Sequence, residues 1–326
     1  MEVKIVIDVS DNILEKLNNI PPKPGIYKFL DREGRIIYIG KSICLNKRVR
    51  TYFANNPKWD KVKRMVTFIV DIEFIVTDTH LEARLLECQL IKSIKPVFNT
   101  QMKNDERYAF LKVEDYNIHN PLSLVYEREG ASFGPFRRKY SLYKVIDNLR
   151  NFYPIKKDVK GYCFQYKLFP AAMDRADFEE NKKTLIEILS DDRNLSLFIS
   201  CIEEEMKKAA SQCRFETAMV FRDIIYSLNY LKSGIIGYRD MFSKDILLKL
   251  PTKEGYKLFF ISKGQVLLKK RYKNYSKKYI DVFIRNGIEI SRDFILPNDE
   301  KISLDYRDII YSEILSLPKE YIKILD

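Results

Sequence analysis

Only two histidines, His80 and His119, occur in the 326 residues, and only five cysteines: Cys44, Cys88, Cys163, Cys201 and Cys213. No two cysteines form a Cys-x-x-Cys pair, and the histidines are far apart. A zinc site built from these residue types is therefore not expected. An odd, unpaired set of thiols gives no disulfide framework and suits a reducing cytosol. No apolar run approaches the ~20 residues that cross a bilayer, so no membrane association is expected. The opening stretch, residues 1–12, mixes acids with a short apolar run and does not read as a secretory signal, so a cytoplasmic location is expected. Gly/Ser-rich or low-complexity segments are missing, as is any repeat of fixed period.

Hydrophobic residues make up 46% of the chain and charged residues 31%, a balance that builds folded cores. The length suggests two to four compact units. Fifty-seven Lys and Arg stand against 45 Asp and Glu, a net charge of +12. Such an excess favours polyanions through counterion release. A basic background in a Lys- and Ile-rich proteome gives the same excess.

The pattern predicts an α/β (α+β) multidomain chain. Ser10-Asp11 caps a short helix over 12–19. Residues 25–30 and 35–40 read as a hairpin around the turn Asp31-Arg32-Glu33-Gly34. Helices are expected over 44–53 and 58–68, and a strand over 72–76. Thr79 caps a helix over 80–95 with Glu82 at the capping-box position, and Pro96 ends it. Residues 101–195 read as short strands with a helix near 141–151. Two helices are expected over 196–232, a β-rich stretch over 238–300 with a hairpin at 256–261 and 265–271, and a helical tail from Leu304. The predicted regions are 1–100, 101–195, 196–236 and 237–326.

The first hairpin carries Tyr27 and Tyr38, and the segment 41–53 that follows has four cations, Lys41, Lys47, Arg48 and Arg50, and no acid. Phenols beside cations make a plausible seat for a phosphodiester; packing tyrosines and a solvated basic face are the plain alternative. Gly25-Ile26-Tyr27 and Tyr38-Ile39-Gly40 resemble the two signatures of the GIY-YIG nuclease family. The run from Pro24 through Lys41, Lys47-Arg48-Val49 and Tyr52-Phe53, with Leu81-Glu82 to Lys92 and Lys95-Pro96-Val97-Phe98-Asn99, resembles the N-terminal domain of the UvrC nucleases. That resemblance implies a small mixed sheet flanked by helices, with a divalent ion, Mg²⁺ or Mn²⁺, on Glu87 and a supporting amide at Asn99. It implies that Tyr38 is the base, that Arg48 stabilises the transition state, and that Tyr27 and Tyr52 position water or phosphate. Lys41 is expected to lower the Tyr38 pKa by favouring the phenolate. Glu82 is read as the cap. Lys47 and Arg50 are candidate DNA contacts.

In residues 202–225, Met206, Ala209, Ala210 and Cys213 repeat at helical spacing, as do Ala218, Phe221, Ile225 and Leu228. Two such helices are read as too small for a core of their own. The segment resembles the UVR motif, with Phe215-Glu216 and Arg222-Asp223 in register and Thr217 in place of the usual Ala. The resemblance implies that Met206, Ala209, Ala210, Phe215, Ala218, Phe221 and Arg222 dock on the helicase UvrB; a purely internal hairpin is the alternative. Residues 104–110, 133–136 and 163–166 also resemble UvrC, but Cys163 stands alone there, so no iron–sulfur cluster is expected. Lys269, Lys270, Arg271 and Lys273, with Lys277 and Lys278 beyond, alternate with Tyr272, Tyr275 and Tyr279. They are read as DNA contacts on a C-terminal hairpin, or as a solvated face.

The resemblance covers about residues 15–232 and is closest in layout to the shortened UvrC homologues of the Cho type. It implies a bacterial cytoplasmic repair endonuclease, a monomer by itself, that nicks damaged duplex DNA on the 3′ side of a lesion when UvrB recruits it. A structure-specific or mobile-element nuclease needing no UvrB, and a catalytically weak adaptor, are the alternatives.

Overall fold

The computed structural model describes residues 11–54, 60–103, 108–117, 119–237, 243–274, 276–295 and 300–325. Packing gathers the four regions expected from the sequence into two compact units, Met1–Asp105 with Phe242–Asp326, and Glu106–Met241. The proposed cap Ser10, the stretch 104–107 and Tyr275 lie outside the described residues. Among the described residues no helix is long and apolar enough to cross a membrane.

The first unit opens with α1 (Asp11–Asn19), β1 (Gly25–Leu30), β2 (Ile36–Ser42), α2 (Leu45–Arg50), α3 (Asp60–Val66), β3 (Asp71–Val76) and α4 (His80–Ile94). Asp31 makes the β1–β2 turn: its Oδ1 accepts from the Glu33 and Arg35 amides at 3.0 Å each. Gly34 supplies the positive φ of 74° that closes it. The strand order is β2-β1-β3, and both pairings are antiparallel where a mixed sheet was expected. β2 and β3 do run the same way, but on opposite sides of β1. The central strand is buried along nearly its whole length.

The second unit contains the antiparallel sheet β5-β4-β6, with β4 (Ala109–Val113), β5 (Leu122–Val125) and β6 (Ser132–Phe136). There follow α5 (Lys139–Leu149), the hairpin of β7 (Lys156–Asp158) and β8 (Gly161–Cys163), and helices α6 (Arg175–Ser190), α7 (Asp192–Ser211) and α8 (Phe215–Lys232). The sequence reading missed α6 and began α7 too late. Asp174 and Asp191 cap these two helices, accepting from the amides of Asp177 and of Arg193 and Asn194. One core unites the sheet and the helices around Phe152, Phe178, Phe198 and Phe221.

The chain then rejoins the first unit as β9 (Asp245–Thr252), β10 (Gly255–Ser262), β11 (Gln265–Tyr272), α9 (Lys277–Asp293), α10 (Glu300–Ser316) and β12 (Ile322–Leu325). The sheet order is β11-β10-β9-β12. The expected hairpin is present, but Lys277, Lys278 and Tyr279 sit on α9 rather than on it. Ile280, Phe283, Ile284, Gly287 and Ile288 recur at helical period there, and a Cβ at Gly287 would lie 2.3 Å from the Phe260 ring. The helical tail ends at Ser316, and β12 adds to the sheet beside β9.

Candidate active site

Two glycines let the tyrosines of the first hairpin gather. In the β1–β2 register Tyr27 faces Gly40 and Phe29 faces Tyr38. A Cβ at Gly40 would stand 2.3 Å from the Tyr27 phenol oxygen, so the absent side chain is the space the phenol fills. A Cβ at Gly25 would meet the Ile75 carbonyl at 2.2 Å, so this glycine lets β3 close on β1. Leu45 and Val49 bury one side of α2 and bring Tyr52 and Arg48 to the same place. The Tyr27 and Tyr52 hydroxyls are 2.7 Å apart, and Tyr52 donates to Tyr38 over a long 3.4 Å. Arg48 donates to the Tyr52 oxygen at 3.3 Å, with its guanidinium carbon 5.2 Å from that ring's centroid. Tyr27 and Tyr52 are buried, Tyr38 is half-buried and Arg48 is exposed.

The Tyr27 and Tyr38 phenols are held neutral. Burial is the main cause pushing the Tyr27 and Tyr38 hydroxyls above their ordinary pKa, and the neighbouring phenols add to it. Glu87 pushes Tyr38 further up, and Arg48 opposes. The expectation that Lys41 lowers the Tyr38 pKa is therefore corrected. Lys41 lies three positions from Tyr38, an odd offset on a strand whose faces alternate, and its ammonium stands 3.9 Å from Glu87.

Glu87 is presented by α4. Thr79 and Glu82 form the full capping box, as expected for Glu82. Leu81, Leu85, Cys88 and Ile91 bury one face of the helix, and the Glu87 side chain is left 13% exposed. Its Oε1 accepts the Lys41 amide at 3.1 Å. Burial raises the Glu87 pKa, and Lys41, Arg84 and Arg48 pull it down. Asn99 serves β2 from its open edge: its Oδ1 accepts the Ile39 amide at 2.9 Å and its Nδ2 donates to the Ile39 carbonyl at 2.8 Å.

The sequence profile of the UvrC-like GIY-YIG domain matches residues 23–100. Residues 23–100 are a UvrC-like GIY-YIG domain. The chain is 36% identical over 235 residues to the UvrABC system protein C of Thermoanaerobacter sp. (strain X514), covering 66% of this chain and 38% of that protein. It is 30% identical over 333 aligned positions to the same protein of Caldicellulosiruptor saccharolyticus, covering 94% of this chain and 51% of that one. The chain thus spans about half the length, or less, of these curated relatives. The GIY-YIG N-terminal endonuclease domain of Thermotoga maritima UvrC, solved with magnesium as its catalytic divalent cation, is 37% identical with a TM-score of 0.26, covering 28% of this chain and all of that one.

Within the GIY-YIG domain the donor set fits a hard, hydrated ion. Among the described residues no three His, Cys, Asp or Glu side chains cluster as metal ligands. A lone carboxylate with open coordination is how Mg²⁺ is commonly held, since it keeps most of its waters. Glu87 is shielded, its pKa is raised by burial, and its ion pair with Lys41 is long, at 3.9 Å, so a bound cation would offset the cost of holding the charge there.

The other candidates fare unevenly. Lys47 is exposed beside the GIY-YIG site, whereas Arg50 bonds Asn18 at 2.9 Å and the Leu17 carbonyl at 3.3 Å, joining α2 to α1. Lys269 pairs with Glu82 at 3.3 Å, and Arg271 pairs with Asp78 at 3.3 Å and Glu254 at 2.6 Å. All four basic residues are exposed, but Lys269 and Arg271 are committed to ion pairs inside their own unit. On the α7–α8 hairpin, Ala209 and Phe221 are buried in a core shared with the rest of the second unit, so these two residues of the expected docking seam are covered within the unit itself. Met206 and Ala218 are half-buried; Ala210, Phe215 and Arg222 are exposed. The sequence reading missed the groups that brace α4 from the C-terminal region: Lys257 on Glu82 at 2.6 Å and Asp78 at 2.7 Å, and Arg84 on Glu313 at 2.7 Å. His80 is half-buried, and burial first and Lys41 next hold its pKa down. Partners so far apart in sequence leave no local signal.

Proposed function

We propose that this chain is a divalent-metal-dependent DNA endonuclease of nucleotide excision repair, making one incision on the 3′ side of a lesion after recruitment by UvrB. The observation that carries the reading is the shielded carboxylate of Glu87 within electrostatic range of the Tyr27–Tyr52–Tyr38–Arg48 cluster. Glu87 would hold Mg²⁺ or Mn²⁺, which supplies charge to polarise a scissile phosphate. Arg48 offers a planar fork to phosphate oxygens. Tyr38, neutral and half-buried, positions water or phosphate by hydrogen bonding, and Tyr27 and Tyr52 hold it in place. The relatives' membership of the UvrABC system supports the repair setting, and the resemblance of α7–α8 to the UVR motif supports UvrB as partner. Docking is assigned to the exposed Ala210, Phe215 and Arg222 rather than to the whole seam.

The test is nicking of an end-labelled duplex carrying one bulky lesion, with Mg²⁺ or Mn²⁺, with and without UvrA and UvrB, beside Glu87→Gln. One nick 3′ to the lesion that needs UvrB and drops at least a hundredfold in the variant is expected. Full nicking by Glu87→Gln refutes the metal assignment. Nicking without UvrB makes the protein a freestanding nuclease, and UvrB binding without nicking makes it an adaptor.

A further inference from the structure

Arg84 stands three residues before Glu87 on α4, the spacing at which side chains on one helix meet. An arginine fork there matches a carboxylate in both charge and shape. Yet this guanidinium is engaged by α10: Nη1 donates to Glu313 Oε2 at 2.7 Å and Nη2 to Ser312 Oγ at 2.5 Å. Arg84 is 18% exposed and Glu313 14%, so the pair is shielded and weakly screened by salt. Among the described residues Glu87 forms its ion pair with Lys41 instead, whose ammonium approaches only to 3.9 Å.

We infer that Glu313 holds Arg84 off the Glu87 carboxylate and so keeps that carboxylate open to a divalent cation. The inference rests on the metal-binding reading of Glu87. Arg84 and a divalent cation compete for one anion. With Glu313 in place, Arg84 is satisfied elsewhere and its charge is neutralised locally. Without it, the fork is free to take Glu87, and an uncompensated positive charge stands beside the ion's seat. Glu313 is thus a positioning residue that acts through Arg84. Docking of α10 on α4 has other supports: the Lys92–Asp305 bridge at 3.2 Å and the buried Leu304, Ile309 and Ile310 on α10.

The experiment is direct Mn²⁺ binding to the full chain, by calorimetry or electron paramagnetic resonance, for the unaltered protein, Glu313→Gln, Arg84→Met, the double variant and Glu87→Gln. Glu313→Gln is expected to weaken Mn²⁺ on the order of tenfold, the scale of losing a group that supports a metal ligand. Arg84→Met should bind at least as tightly as the unaltered protein. The double variant should recover what Glu313→Gln loses, because the competitor is gone. Unchanged affinity in Glu313→Gln overturns the inference. Equal weakening in both single variants without recovery in the double makes the pair a brace only, and overturns it too. If the unaltered protein and Glu87→Gln bind Mn²⁺ alike, the metal reading of Glu87 falls, and the inference with it.

Discussion

Replacing Asn99 with alanine should loosen β2 without touching a side chain of the tyrosine cluster. β2 is an outer strand, so among the described residues its far edge has no strand partner. The segment after α4 supplies one: Phe98 donates its amide to the Ile37 carbonyl at 3.0 Å, and the Asn99 side chain pairs with both backbone groups of Ile39. Ile39 is fully buried and Asn99 only 8% exposed, so Asn99→Ala leaves one amide and one carbonyl without partners. Each such group costs about 1–3 kcal/mol, and entering water recovers part, so local stability should fall by about 2–4 kcal/mol. That is roughly a thirtyfold or larger rise in local opening. The two compact units make a single melting temperature ambiguous. Hydrogen exchange by mass spectrometry on the full chain avoids this, with a peptide over 36–42 as reporter and one over 109–113 in the other unit as internal reference. Asn99→Asp, which keeps the acceptor but sets a charge against the Ile39 carbonyl, should also exchange faster at 36–42. Protection over 36–42 within twofold of the unaltered protein in Asn99→Ala would refute the reasoning.

The remaining predictions concern the brace on α4 and the α7–α8 hairpin. Lys257→Met keeps the side-chain bulk but leaves Asp78 and Glu82 only the longer 3.3 Å ion pairs with Arg271 and Lys269, and should cost about 2–3 kcal/mol at pH 7, given that the lysine is only 11% exposed. The hydrogen bond from Lys257 is the main cause holding the Asp78 pKa below its ordinary value. A lowered folded pKa stabilises above the unfolded value of about 3.9, and that stability is lost as pH falls through the folded value. The gap between unaltered protein and Lys257→Met in urea midpoints should therefore narrow below about pH 4; a constant gap down to pH 3 contradicts the bridge. Phe221→Ala, in contact with the Phe152, Phe164 and Tyr166 rings, should cost about 3–5 kcal/mol. Phe215→Ala, 63% exposed, should change stability by less than about 0.5 kcal/mol while weakening UvrB capture about tenfold. Equal effects of the two changes on stability would sink the division of that hairpin into core and docking faces.

The parts legible in the sequence are those set by neighbours along the chain. The Asp31–Gly34 turn, the alternation around Tyr27 and Tyr38, and the Thr79–Glu82 capping box each rest on a few adjacent residues, and each is present. Helix α6 was missed because the polar Asn181 and Thr184 sit on its buried face between Phe178 and Leu185 and break the apolar spacing; only the Asp174 cap marks its start. Helix α9 was missed because basic residues interleaved with tyrosines read equally well as a strand face. The roles of Lys269, Arg271 and Arg84 were hidden for another reason. Their carboxylate partners Glu82, Asp78 and Glu313 lie more than a hundred residues away. The core that covers the hairpin was likewise invisible, because the rings that cover Phe221 come from residues 152–166.

The correction at Tyr38 changes what the site can recognise. With the Tyr27 and Tyr38 phenols neutral, the cluster offers two cations, Lys41 and Arg48, and one carboxylate, Glu87, which a divalent ion would more than neutralise. Such a seat draws any phosphodiester strongly. Every group it presents suits phosphate oxygens or water, and such contacts fix position without reading sequence. A cleavage site of this kind cannot by itself choose where along a duplex to act. On the proposed reading, that choice falls to whatever holds the DNA. For this chain that means the exposed Lys47, Lys270 and Lys273, and above all a partner engaged through the Phe215 face of α8. If so, loss of the docking face should abolish the preference for lesions before it abolishes the capacity to nick.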